Sequence, residues 1–287
     1  MAVIIDGKKV AAAIREEVRA EAALLREKGV VLKLAVVLVG DDPASLLYSR
    51  SIEKSCRNAG VDFELFALPD AAHEDEVVDV IERLNWDASV HGIMIELPLP
   101  RGMNKRRVLE AVSPVKDVDG VHPINRGYNL SNSGGLYPTT PQSCIEIMLR
   151  NGIEIASRHA VLVGRGESVG KPLIFMMLNH NATVTVCHSR TKDLAYHTRQ
   201  ADILVAAVGK PKMITADMIK PGAVVLDVGI NEMEGGGICG DVDFENVKEK
   251  ASAISPVPGG VGSLTSALIL KNVIKAYDMQ SGKVNPL

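Results

Sequence analysis

The sequence predicts an α/β protein of two domains, an N-terminal α/β domain and a C-terminal Rossmann-like domain. Three observations carry this reading. The 287 residues are about twice the ~150 of a common single domain. Apolar runs of strand length alternate with amphipathic runs of helical period, which marks βαβ units and a mainly parallel sheet. In the second half, Val161-Leu162-Val163 runs into a turn with Gly164, Gly166 and Gly170 and then a helix start, the order of a nucleotide-binding βαβ unit.

The first elements follow in order. From Lys8 to Arg26, the residues Val10, Ala13, Ile14, Val18, Ala22 and Leu25 recur at helical spacing between charges. Lys33 to Gly40 reads as a buried strand. Asp41-Asp42-Pro43 supplies a turn and a helix start, and Ala44 to Ala59 forms a helix stopped by Gly60. Asp62 to Leu68, Glu74 to Asn85 and Val90 to Leu97 continue as strand, helix and strand, halted at Pro98-Leu99-Pro100. Lys105 to Val112 is a short helix. Ser113 to Tyr137 is rich in Pro, Gly, Asn and Asp without periodicity, and irregular stretches this long are more often functional than idle.

Pro141 to Asn151 is a helix leading into the second alternating block. Its strands are Ala160–Gly164, Thr183–Cys187, Ile203–Ala207 and Val224–Val228, with a helix at Gly170–Asn179. Pro256 to Gly262 makes a tight loop before a closing helix from Leu264 to about Tyr277, and Ser281 to Leu287 reads as a tail.

Composition narrows the function classes. With 46% hydrophobic and 23% charged residues and a mean hydropathy of +0.11, the chain is neither disordered nor fibrous. A formal charge of −3 provides no positive field for a nucleic-acid backbone or an anionic membrane. Aromatics at 3% leave no stacking platform for single strands. Cys56, Cys144, Cys187 and Cys239 lack zinc or redox spacing, so no metal site is expected and a reduced, cytoplasmic chain is. No targeting segment and no apolar run of ~18 residues is expected either. A small-molecule function is favoured.

Glycines at Gly164, Gly166 and Gly170, with Arg165, Ser168 and Val169 between them, let a backbone turn approach a pyrophosphate, whose charge meets the free N–H groups of the following helix. An NAD site places an acid at the end of the next strand to take the ribose hydroxyls. That position reads Cys187-His188-Ser189-Arg190-Thr191, with no acid. Arg165, His188, Ser189 and Arg190 suit the extra phosphate of NADP through charge-assisted bonds. NADP is therefore favoured, with NAD possible and an exposed basic turn without ligand the plain alternative. Ala207-Val208-Gly209 and Asp227 to Asn231, including Ile230, end later strands where a crevice opens in such sheets.

Four further segments carry a resemblance: Val39 to Tyr48, Glu96-Leu97-Pro98-Leu99-Pro100, Lys116-Asp117-Val118-Asp119-Gly120 and Pro256 to Gly262. With Gly164 to Pro172 they resemble, in order and spacing, the methylenetetrahydrofolate dehydrogenase/cyclohydrolase family, known in bacteria as FolD. The resemblance runs from about Ile5 to about Tyr277. It implies a folate-binding domain of residues 1–140 plus 264–287, a Rossmann-like domain of residues 141–263, and a folate cleft between them. It also implies a homodimer. Carried over by motif, Tyr48, Glu96 and Asp119 are the catalytic set, with Tyr48 against the aminobenzoyl ring and Asp119 on the pterin. Ile52, Ile95, Leu97, Pro98, Pro258, Gly259, Gly260, Val261 and Gly262 complete the folate pocket, and Thr140 joins the glycine turn, residues 188–190, residues 207–209 and Ile230 around the dinucleotide.

The chain also departs from the family. The lysine that follows the tyrosine by four residues in bifunctional members is Ile52 here, and Lys54 lies about 240° around the helix from Tyr48. The glutamine before LPLP is Glu96, and Gly166 replaces the usual serine after the arginine. Hydride transfer from a methylene bridge to nicotinamide needs alignment but no general base. Hydrolysis of the methenyl cation needs a titratable group, which Ile52 cannot supply. The expectation is a dehydrogenase with weak or lost cyclohydrolase activity. The alternatives are a bifunctional enzyme using Glu96 as substitute base, a non-catalytic folate- or nucleotide-binding protein, and a generic Rossmann dehydrogenase that leaves KDVDG and PVPGGVG unexplained.

Overall fold

The computed structural model describes residues 2–233 and 235–284; the last three residues of the expected tail lie outside them. In chain order the elements are β1 (Val3–Ile4), α1 (Gly7–Glu27), β2 (Lys33–Val39), α2 (Pro43–Ala59), β3 (Asp62–Leu68), α3 (Glu74–Trp86), β4 (Gly92–Ile95), α4 (Lys105–Ala111), α5 (Pro123–Ser131) and α6 (Thr139–Arg150). There follow β5 (His159–Val163), α7 (Gly170–Asn179), β6 (Thr183–Cys187), α8 (Leu194–Thr198), β7 (Ile203–Ala206), β8 (Val224–Asp227), β9 (Asn231–Glu232), β10 (Ile238–Cys239), α9 (Phe244–Val247), β11 (Ala253–Ile254) and α10 (Thr265–Gln280). The chain forms two compact units, one of Met1–Ala11 with Thr139–Thr265 and one of Ala12–Pro138 with Ser266–Leu287.

The unit built on Ala12–Pro138 holds a three-stranded parallel sheet in the order β3-β2-β4. Strand β2, the apolar run Lys33–Val39, is its centre, and all of its residues after Lys33 are buried. A central strand flanked on both sides has no polar face, hence a continuous apolar run rather than an alternating one. Helix α2 starts and stops as its sequence dictates. The Asp42 carboxylate accepts from the Ser45 backbone N–H at 2.8 Å, Pro43 fills the first turn, and Gly60 closes the helix at φ 74°. The closing helix α10 belongs to this unit from Ser266 onward. Its Asn272 amide donates to the Val118 carbonyl at 2.7 Å and the Tyr137 carbonyl at 3.2 Å, and Lys275 Nζ donates to the Gly135 carbonyl at 2.7 Å.

The stretch 113–137, expected to be irregular, contains α5. Its sequence, PINRGYNLS, is poor in helix formers and masks the periodicity. The helix depends on tertiary partners: buried Asn125 donates to the Pro114 carbonyl and to Asp117 Oδ2, and its side-chain oxygen accepts from the Leu136 N–H.

The other unit holds a six-stranded parallel sheet in the order β1-β11-β8-β7-β5-β6. The strand order reverses at β5, with β6 on one side and β7 on the other, so the loop after β5 opens at a topological switch point where doubly wound sheets bind ligands. One correction concerns the N-terminus. Residues 1–11, assigned from the sequence to the first domain, pack here because Val3–Ile4 adds an edge strand to β11. A two-residue strand carries no periodic signal, and its partner lies some 250 residues on in the chain.

Candidate active site

In the unit built on Ala12–Pro138, Ser49 of α2 and the charge of Asp119 act on one carboxylate, Glu96. Helix α2 turns Ser45, Ser49, Ile52, Cys56 and Ala59 inward as a buried stripe, the spacing of one helix face. The Ser49 hydroxyl donates to Glu96 Oε1 at 2.8 Å. Glu96 stands just past β4, its N–H bound to the Val37 carbonyl at 2.9 Å, and is only 3% exposed. Burial raises its carboxyl from the ordinary range to about 7; the Ser49 hydrogen bond opposes the shift and the negative charge of Asp119 adds to it. A carboxylate in this range can take up and release a proton at neutral pH. Ser49 was not foreseen. Its signal was its place four residues after Ser45, on the inward side of a helix otherwise read for Tyr48.

Tyr48 and Asp119 are half-buried, Lys54 is exposed, Leu97 is half-buried and Pro98 exposed, while Ile95 is in the core. Ile52, expected among the substrate contacts, is fully buried. It packs inward on the same stripe as Ser49 and offers no ligand a free surface. The Leu97–Pro98 and Val257–Pro258 peptides are cis.

The KDVDG segment divides its work. Lys116 Nζ donates to the carbonyls of Leu84 at 3.0 Å and Asp87 at 2.7 Å, capping the end of α3. Asp117 is buried and accepts from the N–H groups of Val121 and His122 and from the Asn125 amide. Gly120 has φ +65°, and a Cβ there would come within 2.3 Å of the Tyr137 backbone. Asp119 is thus the one acid of the motif left half-exposed, held between a braced strand edge and a crowded glycine.

In the second unit, the glycines separate by need. Gly164 has φ +125°, and a Cβ on it would sit 2.1 Å from the Ala207 carbonyl oxygen; one on Gly170 would sit 2.4 Å from the Gly164 oxygen. Gly166 faces open space. Gly164 and Gly170 thus let the turn close against residue 207 and against the start of α7, and this glycine cradle suits a pyrophosphate at the helix start. Arg165, Gly166, Ser168, Ser189 and Arg190 are exposed around it, with Val169 and His188 half-buried. The turn after β6 is closed from within: Thr191 Oγ1 accepts from the His188 N–H at 2.8 Å, and His188 Nδ1 accepts from the Arg190 N–H at 3.2 Å.

Thr140 is half-buried at the start of α6, and Ile230 is 67% exposed. In the PVPGGVG loop, Val261 is fully buried and Gly260 buried, while Pro258 and Gly262 are exposed and Gly259 is half-buried. The Gly7 N–H donates to the Gly259 carbonyl at 2.9 Å. A Cβ on Gly7 would lie 2.0 Å from the Gly260 oxygen, so the loop rests directly on the start of α1.

Two buried acids knit the carboxyl edge of this sheet: Asp227, read from the sequence only as a strand end, and Asp241, which was not foreseen. Asp241 accepts from the consecutive N–H groups of Val208, Gly209 and Lys210 at 2.6, 3.0 and 2.8 Å, and from the Asn231 amide at 3.0 Å. Asp227 accepts from the N–H groups of Gly229, Asp241 and Val242. Burial lifts the Asp227 carboxyl to about 6, against the pull of those bonds. The signal available was an acid at the end of β8 and a Gly-Asp pair thirteen residues later.

The chain matches two family descriptions, "Tetrahydrofolate dehydrogenase/cyclohydrolase, catalytic domain" over residues 5–119 and "Tetrahydrofolate dehydrogenase/cyclohydrolase, NAD(P)-binding domain" over residues 138–281. It belongs to the tetrahydrofolate dehydrogenase/cyclohydrolase family. It is 73% identical over 284 residues to the bifunctional protein FolD of Pelotomaculum thermopropionicum, covering 99% of this chain and 100% of that one. It is 62% identical over 280 residues to the bifunctional protein FolD 2 of Desulfitobacterium hafniense, covering 98% of each. The crystal structure of the bifunctional FolD of Campylobacter jejuni superposes with a TM-score of 0.95 at 43% identity, over 98% of this chain and 100% of that one. A Trypanosoma brucei FolD complexed with NADP and an inhibitor superposes at 0.92 with 34% identity, over 98% of each chain. The family places the glycine cradle in an NAD(P)-binding domain and Glu96 in a catalytic one. Among the described residues no helix is long and apolar enough to cross a membrane.

Proposed function

We propose that the protein is a bifunctional enzyme of one-carbon metabolism. It oxidises 5,10-methylenetetrahydrofolate to the methenyl cation with NADP and hydrolyses that cation to the formyl derivative, with Glu96 handling the proton in place of the lysine that the family pattern expects at position 52. The observation that carries this reading is the Ser49–Glu96 pair, a buried carboxylate held at 2.8 Å and titrating at about 7. The dehydrogenase alone, expected from Ile52 and Glu96, is the weaker reading, because relatives 73% and 62% identical are named bifunctional.

For the first reaction NADP, when bound, accepts the hydride that leaves the methylene carbon. The chain's task is alignment. The Gly164 cradle and the start of α7 take the pyrophosphate, Arg165, Ser189 and Arg190 take the added phosphate, and Tyr48 and Asp119 hold the folate. Positive charge grows on the folate as the hydride departs, and a nearby ionised Glu96 stabilises it.

For the second reaction Glu96, ionised, removes a proton from a water as the water oxygen bonds to the methenyl carbon. It then returns that proton to the ring nitrogen whose bond to carbon breaks, while the hydroxyl proton of the adduct passes to solvent and the formyl group forms. The same carboxyl thus acts as base and then acid, which suits a value near 7.

The test measures both reactions with purified protein, with NADP and with NAD. Acceleration of methenyl hydrolysis by the native enzyme, lost by about a hundredfold in Glu96→Gln while hydride transfer persists, is the expected result. A native enzyme that makes the methenyl compound without accelerating its hydrolysis returns the monofunctional reading. A protein that binds folate and dinucleotide but transfers no hydride is the non-catalytic alternative.

A further inference from the structure

The acids at the carboxyl edge of the large sheet are themselves buried, yet they hold the backbone of residues expected to lie around the dinucleotide. Residues 208–210 form a run of three N–H groups aimed at one point, the kind of concavity that in a Rossmann unit could take a phosphate oxygen. Here the point is filled by the chain's own Asp241, which is 0% exposed and receives all three bonds. The run therefore cannot bind an external anion. Its geometry is fixed instead by a carboxylate that belongs to the protein.

That geometry reaches the glycine cradle. The Ala207 carbonyl oxygen is so close to the Gly164 Cα that a Cβ there would lie 2.1 Å from it, and the Ala207 N–H is tied to the Val163 carbonyl at 2.8 Å. A shift of the 208–210 loop would therefore alter the turn that opens the cradle. Asp241 also holds Asn231, which fixes the chain directly after the exposed Ile230. Asp241 is itself set in place by Asp227, which accepts its backbone N–H at 2.9 Å and those of Gly229 and Val242. The fit leaves no slack, since a Cβ on Gly229 would lie 2.3 Å from Asp241 Oδ1 and one on Gly240 would lie 1.8 Å from Asp227 Oδ2.

We infer that Asp241, seated by Asp227, is a positioning residue for the dinucleotide, holding residues 207–210 and Ile230 at the spacing that the Gly164 turn requires. This rests on the reading of that turn as the NADP site. Each Asp241 oxygen accepts two N–H bonds, Oδ2 from Val208 and Gly209 and Oδ1 from Lys210 and the Asn231 amide, so an amide N–H₂ group in place of either oxygen leaves at least one backbone N–H unsatisfied. The loop then relaxes away from Gly164, and the cofactor pays for it while the folate does not.

The experiment compares Asp241→Asn with the native protein by direct titration of NADP, by the KM for methylenetetrahydrofolate at saturating NADP, and by thermal unfolding. The expected result is a rise of about tenfold or more in the NADP Kd with the folate KM within about twofold. Equal NADP affinity in the two proteins, or an equal rise in both constants, overturns the inference. Should Asp241→Asn fail to fold, Asn231→Ala, which removes one donor to Asp241, is read in the same way, with a smaller but still selective rise in the NADP Kd. Native protein that binds no dinucleotide refutes the NADP reading itself; native protein that binds it while the variants bind as tightly refutes only the positioning role.

Discussion

The Ser49 hydroxyl donates a hydrogen bond of 2.8 Å to Glu96 Oε1, so the carboxylate just before Leu97-Pro98 is buried and held from the neighbouring helix. The bond favours the ionised form, yet burial outweighs it and leaves the carboxyl at about 7. Because base catalysis needs the ionised form, methenyl hydrolysis should rise with pH through about 7 in the native enzyme. Removing the bond in Ser49→Ala should move that rise to higher pH. A rate profile that is flat from pH 6 to 8, or one unmoved in Ser49→Ala, argues against Glu96 as the proton-handling group.

The same group links pH to stability. Its folded value lies above the unfolded one, so the folded chain holds the extra proton between about 4.5 and about 7. This group's contribution is therefore fully present below that window and is lost as pH rises through it. Glu96→Gln should unfold at a higher temperature than the native protein at pH 8, by about 2 °C or more, with the difference shrinking toward pH 5. Parallel melting curves across that range would contradict the assignment.

Gly164 and Gly166 share a motif but not a constraint. Gly164→Ala meets both a φ of +125° and the Ala207 oxygen at 2.1 Å, so it should weaken NADP binding by about tenfold or more and lower stability. Gly166→Ser, in open space, should leave stability within about 0.5 kcal/mol. Titration of NADP against the two variants separates the positions.

Ile52 fills core rather than a pocket. Ile52→Ala should cost about 2 to 5 kcal/mol of stability, read by denaturant unfolding, and Ile52→Lys should cost at least as much, because it places an ammonium at a fully buried position. A lysine tolerated there without loss would mean that the inward stripe of α2 has a polar outlet.

Lys116→Met tests the division of labour in KDVDG. Loss of the two bonds to the Leu84 and Asp87 carbonyls should lower stability by about 1 to 3 kcal/mol while the folate KM stays within about twofold. A selective rise in that KM would assign Lys116 to the substrate instead.

What the sequence determined by itself was local in origin. Apolar runs placed β2, β5 and β7. Asp42-Pro43 and Gly60 bounded α2, and the glycine spacing marked the turn before α7, because periodicity, caps and turn conformations are properties of a few neighbouring residues. The segments that hold Tyr48, Glu96 and Asp119 were likewise visible as a family resemblance. Tertiary structure decided what those residues can do. The partners of Glu96 and Asp241 lie 47 and 33 residues away in the chain, and β1 joins a strand from the far end. Whether an acid is a solvated charge, a neutral-pH proton carrier or a plug for backbone N–H groups depends on burial and on donors brought from such distances. A residue's type fixes its ordinary pKa, but only the packed fold fixes the solvation and hydrogen bonds that move it.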